Sequence, residues 1–172
     1  MSTGERFVAT AGRRTRFAAS LLASPTDSWL VLRMAGWRLC LPVLKRRLPL
    51  ARLARLMWMG ERPRPVTVQR EARIAELARI VFRSEHVSRA GNCLERSLVL
   101  YRYLSAAGVD PHLVVGMTIG ETVRGHAWVI VRGEPVEEPP SSLAGLTRLV
   151  SFHGDSWNPG SRAGPNALST AR

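Results

Sequence analysis

A cysteine at the start of a helix and a histidine at the start of a strand constrain the fold of this chain more than any other pair of its residues. Cys93 lies in Gly91-Asn92-Cys93-Leu94-Glu95-Arg96-Ser97-Leu98. The apolar positions Leu94, Leu98, Tyr101 and Leu104 follow at spacings of four, three and three. That period predicts an amphipathic helix, and Gly108 stands where helices commonly end on a left-handed residue. Asp110-Pro111 predicts a turn and His112–Thr118 a strand, and Gly120 turns the chain toward a second strand, Gly125-His126-Ala127-Trp128-Val129-Ile130-Val131. Arg132-Gly133 turns the chain again and Glu134–Glu138 returns, while Thr147–Phe152 fits either helix or strand. The result is an α+β fold, with a nucleophile-bearing helix laid on a small antiparallel sheet.

The chemistry follows from that placement. A cysteine attacks as its thiolate, and backbone N–H groups at a helix start stabilise an anion there. Asn92 as N-cap and Glu95 three positions later fit a capping box, with Cys93 as the first helical residue. The same N–H groups could form part of an oxyanion hole. A cysteine within a helix is more often a buried structural residue, and the polar Gly91-Asn92 start is what tells against that here.

His126, Trp128 and Ile130 share one strand face, so Trp128 is expected to form a wall beside the imidazole. A carboxylate beside it would orient the ring and stabilise its cation. Glu137 and Glu138 compete for that place, against the plainer alternative of a solvated acidic pair. A three-residue loop, Val131-Arg132-Gly133, sets Glu138 directly across from His126. A two-residue loop at Arg132-Gly133 puts Glu137 on the His126 face, diagonally offset. Glycine suits the third loop position, which favours Glu138. His86, His112 and His153, like Asp110 and Asp155, have no spacing that implicates them, and His112 is expected simply to pack in its strand. Cys40, inside an apolar run, is expected to be a small core residue. No Cys/His set has zinc-ligand spacing, so neither a metal nor another cofactor is expected.

The charge balance is unusual, with 25 Lys+Arg against 13 Asp+Glu. Lys45 is the only lysine, and an arginine bias can simply reflect a genome rich in G and C. The surplus suits nucleic acid, an anionic membrane surface or an acidic peptide. No nucleic-acid motif accompanies it, and the aromatics do not form a stacking platform, so nucleic acid is not expected as a partner. Two cysteines in unlike contexts argue against a disulfide framework, which makes a reducing cytoplasm the expected location. The run Trp29–Leu44, broken by Arg33, Arg38 and Pro42, falls short of a spanning helix but could rest on a membrane surface.

Four regions follow: a loose extension at 1–25, an apolar and basic helical segment at 26–62, a catalytic domain at 66–153 and a disordered tail at 154–172. Ser24-Pro25-Thr26-Asp27 starts the first helix, whose apolar residues lie nearly all round it, and Pro42 is expected to break or kink it. Pro49 opens a further short helix, Arg62-Pro63-Arg64-Pro65 is a stiff connector, and Thr67 begins a clean amphipathic helix through Phe82.

From about Arg70 to Phe152 the chain resembles the transglutaminase-like leader peptidases of lasso-peptide biosynthesis, relatives of the C-terminal part of the microcin-processing B protein. The resemblance rests on Asn92-Cys93-Leu94-Glu95-Arg96-Ser97-Leu98, on Tyr101-Arg102-Tyr103-Leu104 leading to Gly108, on His126-Ala127-Trp128-Val129, and on an acid about twelve positions beyond the histidine. The Trp-, Leu- and Arg-rich front, residues 29–59, is similar to that family's N-terminal segment. It implies a papain/transglutaminase-like core in which Cys93 is the nucleophile, His126 the base and Glu138 the third member. That last position usually carries Asp in the family, which leaves Glu137 open as well. Asn92, Arg96 and Trp128 match family positions and are expected to contact substrate or pack beside it.

The implied activity is removal of the leader from a ribosomally made precursor peptide, before a separate macrolactam cyclase closes the ring. The front is too short and too helical for a complete leader-recognition domain, so a second protein is expected to supply recognition. Acyl transfer to an amine is the same-fold alternative. An inactive adaptor for the maturation complex is the alternative of another class.

Overall fold

The computed structural model describes residues 24–60, 65–82, 92–118, 123–154 and 156–159. Expectations that fall on residues 1–23, His86, Gly91, Gly120, Asp155 and residues 160–172 lie outside the described residues.

Helix α1 spans Pro25–Arg47, with proline in its first turn, Asp27 near its positive end and Lys45, Arg46 and Arg47 in its last turn. It runs on through Pro42, so of the expected break or kink the break does not occur. Proline removes one hydrogen bond from the ladder, but Met34 and Leu41 before it and Leu44 after it pack on one core, which keeps the helix in register. Helix α2 (Leu50–Met57) follows Pro49 and buries Leu53, Ala54 and Met57. Helix α3 (Val68–Phe82) buries Ile74, Ala75, Leu77, Ala78, Val81 and Phe82, the stripe that its sequence period requires.

Helix α4 (Cys93–Ala107) is the central element, with Leu98, Tyr101 and Leu104 fully buried. It ends at Gly108 with φ 93, the left-handed conformation that glycine adopts without steric cost.

The strands are β1 (Pro111–Thr118), β2 (Arg124–Val131), β3 (Glu134–Pro135), β4 (Leu146–His153) and β5 (Ser156–Pro159). They form one sheet in the order β3-β2-β1-β4-β5, and every pairing is antiparallel. Thr147–Phe152 is therefore strand. Residues 156–159, assigned from composition to a disordered tail, instead pair with β4. The pairing uses backbone groups, which Pro, Asn and Ser side chains do not reveal.

One apolar cluster joins Met34, Leu41, Leu53 and Met57 of the front helices to Leu98, Tyr101 and Leu104 of α4, and to Leu113, Val129 and Phe152 on the sheet. The front helices thus share the core of the rest of the chain. Val114, Trp128 and Ile130 form a smaller cluster with Leu143 and Leu146 on the other sheet face. Only part of α1 is covered: Trp29, Leu32, Leu39 and Val43 are exposed, as is Cys40, which corrects its assignment to the core. Several of the many arginines make internal contacts. Arg38 binds the Val81 carbonyl, Arg73 meets Asp27 at 2.8 Å, and Arg102 donates to Leu56 O at 3.0 Å.

Candidate active site

Cys93 opens α4, half-buried and free, with Asn92 at the N-cap. The expected capping box does not form. Asn92 has φ −112 and ψ 4 rather than an extended N-cap conformation, and its side chain makes no capping bond. Glu95 is buried and pairs with Lys45 of α1, the kind of partner a buried carboxylate needs. The sole lysine of the chain therefore ties the front helix to the first turn of the cysteine helix.

The next two residues of α4 meet the histidine strand. Ser97 Oγ donates to the Ala127 carbonyl at 2.8 Å, in a buried bond. Arg96 Nη2 binds Glu138 Oε1. Positions three and four beyond Cys93 lie on its side of the helix, so these two contacts bring that side against the start of β2. Ala127, Val129 and Val131 turn toward the helices, whereas His126, Trp128 and Ile130 turn to the other sheet face. Strand β3 covers β2 only at Ile130 and Val131, and among the described residues no other strand pairs with that edge beside His126. Glu138 and Arg96 meet His126 at that edge.

His126 Nε2 lies 3.6 Å from Glu138 Oε1. This nitrogen is buried, and among the described residues it has no hydrogen-bond partner and His126 is not hydrogen-bonded to Cys93. The imidazole lies nearly parallel to the Trp128 indole, with centroids 6.0 Å apart. Trp128 is itself almost completely buried, so it backs the imidazole and offers substrate little surface. On the other carboxylate oxygen, Ser142 Oγ approaches Glu138 Oε2 at 3.2 Å. Glu138 thus has three neighbours from three elements.

The hairpin places Glu138 by a route the loop argument did not contain. The turn has two residues, Arg132 and Gly133, both at positive φ (51 and 85), and Val131 faces Glu134. This is the primed turn that suits the strand twist, and it corrects the three-residue loop. On that register alone Glu137 would fall on the His126 face. The return strand, however, stops at Pro135, and Glu137 takes a left-handed φ of 64. That reversal turns Glu137 toward Arg79, at 3.6 Å, and brings Glu138 to the imidazole. Burial pushes the Glu137 carboxyl above its ordinary range, against the pull of Arg79 and Arg96.

Sequence spacing did not single out Ser97, Lys45 or Ser142. A serine four residues after the cysteine, among apolar helix positions, is the signal that marks Ser97. Away from this site, His112 stacks on His153 with centroids 4.5 Å apart. Burial, and then the neighbouring His153, hold His112 below the ordinary histidine range.

A helix that opens on a cysteine and is fastened through Ser97 and Arg96 to the histidine strand and to Glu138 is compatible with acyl chemistry, and the sequence family agrees. The family described as the transglutaminase-like superfamily matches residues 32–151. The chain belongs to the transglutaminase-like superfamily. The match takes in most of α1 as well as the helix and sheet that carry the site. No curated protein and no solved structure matches the chain. Membership in the transglutaminase-like superfamily fits the α+β order seen here, with helices first and an antiparallel sheet after.

Proposed function

We propose that this transglutaminase-like protein is a cysteine peptidase that removes the leader from a ribosomally synthesised precursor peptide. The observation that carries the proposal is the facing of His126 Nε2 and Glu138 Oε1, on a strand fastened by Ser97 to the helix that Cys93 opens. With Nε2 turned to the carboxylate, Nδ1 is the nitrogen left to serve the thiol.

The steps follow from those roles. Nδ1 takes the Cys93 proton, and the thiolate sulfur attacks the scissile carbonyl carbon. The resulting oxyanion is held by N–H groups of the first turn of α4. Collapse breaks the C–N bond, and the leaving amine takes the proton from the imidazolium. Water, deprotonated by the same nitrogen, then attacks the thioester and frees the acid and the thiol. Glu138 orients the ring and balances its charge throughout. The distance of 3.6 Å between His126 and Glu138 is that of a resting site, since catalytic hydrogen bonds often tighten only when substrate is bound.

The substrate class is supported by the resemblance of Asn92–Leu98 and His126–Val129 to the lasso-peptide leader peptidases. Under this proposal the protein works in the cytoplasm with a separate leader-recognition protein, upstream of a macrolactam cyclase. The front helices pack into the same core as the helix and sheet that carry the site. Asn92 lies at the helix start where an acyl group would arrive, and Arg96 fixes Glu138.

The test is incubation with the precursor peptide encoded beside the gene, followed by mass spectrometry, with and without the recognition protein. A leader-sized mass loss that Cys93→Ala abolishes is expected. No cleavage in any combination would leave an adaptor in place of an enzyme, and joining of an added amine in place of water would make the protein an acyltransferase.

A further inference from the structure

Asp110, His112 and His153 come together at the far end of the sheet from His126. His112 lies four residues along β1 from Gly116, the residue paired with His126, or about 13 Å at strand rise. His153 ends β4, and the β1–β4 register, continued by one residue past Leu113 and Phe152, sets it opposite His112. One ligand atom from each of the three side chains lies within 4.8 Å of the others.

We propose that Asp110, His112 and His153 bind a divalent transition-metal ion of the zinc class. Two imidazoles and one carboxylate are the nitrogen and oxygen donors that such an ion takes, and three protein ligands leave a fourth position open. A tetrahedral ion with bonds of about 2.1 Å sets its ligand atoms about 3.4 Å apart. The His112 and His153 rings are stacked with planes 16° apart, so one imidazole must turn out of the stack for both nitrogens to point at the ion. His153 Nε2 already meets Asp110 Oδ1 at 2.5 Å, so an ion between them would replace an existing contact.

The surroundings hold the ligands in place. Trp58 meets the His153 ring edge-on at 5.2 Å, and Gly154 N donates to the Tyr101 hydroxyl at 3.0 Å, which anchors the chain just after His153. Such support from outside the ligand set fixes ring orientation at metal sites. Asp110 and His112 also line a cavity of about 410 Å³ that is bordered by Glu71, Val109 and Arg132. The open position has room on that side for water or a small anionic group. Sequence spacing did not reveal the set because His112 and His153 are far apart in the chain and meet only through β1–β4 pairing.

The test is titration of the tag-free full chain with Zn²⁺, followed by calorimetry, and with Co²⁺, followed by visible absorption. Both use a Cys40→Ser/Cys93→Ala background that removes competing thiols. One equivalent is expected to bind, and the metal should raise the melting temperature. Loss of either imidazole should weaken binding by more than about 100-fold, beyond the range of lost outer contacts. His112→Ala and the more exposed His153→Gln serve as the variants, each checked for an unchanged metal-free melt. Absence of binding would overturn the proposal, as would full binding retained in well-folded His153→Gln. Either outcome leaves the Cys93 proposal untouched, because its readout is cleavage.

Discussion

Ser97 Oγ donates a 2.8 Å hydrogen bond to the carbonyl of Ala127, so the helix that opens on Cys93 is fastened to the residue next to His126. The bond is buried, and losing a buried partner costs about 1–3 kcal/mol. Ser97→Ala is expected to lower stability by that amount in a urea melt. Under the proposed roles it should also reduce turnover more than the lost stability explains, because the bond ties the helix of Cys93 to the strand of His126. Turnover equal to wild type in the folded variant would show that the register has other supports.

The two neighbouring glutamates should behave differently. Glu138 faces the imidazole, whereas Glu137 turns to Arg79. Glu138→Gln keeps the shape and removes the charge, and a lost orienting carboxylate costs on the order of 10⁴ in turnover. Glu137→Gln should retain most activity. Steady-state cleavage of the precursor distinguishes the two, and the reverse ranking would move the third role to Glu137.

Glu137 should also leave a signature in stability against pH. Burial raises its folded carboxyl above the ordinary glutamate value of 4.5. A raised acid binds more protons folded than unfolded, so it disfavours folding as pH rises from about 4.5 through the folded value. Below that window the penalty is absent. Glu137→Gln is therefore expected to be more stable than wild type at neutral pH, with the gap closing as pH falls through the window. Equal melts at pH 7 would show that Arg79 offsets the burial.

Gly116 couples the sheet to the site. It pairs with His126, and a Cβ there would come within 2.6 Å of the Thr147 carbonyl and 2.9 Å of Trp128. Gly116→Ala is expected to cost about 1–3 kcal/mol as overpacking. It should also displace the indole that backs His126, which tryptophan fluorescence and turnover would report together. A variant with normal stability and activity would show that β4 yields where its register with β1 shifts, between Val115–Val150 and Gly116–Arg148.

The sequence carried the parts of this fold that depend on local pattern. The stripes of α3 and α4, the glycine that ends α4 and the strands bearing His112 and His126 all follow from periodicity and turn residues. Proline at position 42 does not end the helix, because tertiary packing of Met34, Leu41 and Leu44 outweighs a single lost helix bond. Cys40 was misplaced because α1 is apolar on nearly all sides, and periodicity cannot then say which side is covered.

The hairpin shows the limit more sharply. Choosing between two-residue and three-residue loops assumed that the return strand stayed extended as far as the glutamates. One non-glycine residue at positive φ, Glu137, cancels that parity argument. Glu95, with its neighbour Asn92, carried a local capping signal, and a cation from a distant helix claimed it instead.

The most direct measurement of the central claim compares the alkylation rates of the two cysteines by peptide mass spectrometry. Cys40 is exposed and Cys93 half-buried, so access alone would favour Cys40. A thiol served by a base reacts as thiolate despite lower exposure. Cys93 is expected to react at least about tenfold faster than Cys40 near neutral pH, and His126→Ala should remove that advantage while leaving Cys40 unchanged. Faster modification of Cys40 in the wild-type protein would contradict an activated nucleophile at Cys93.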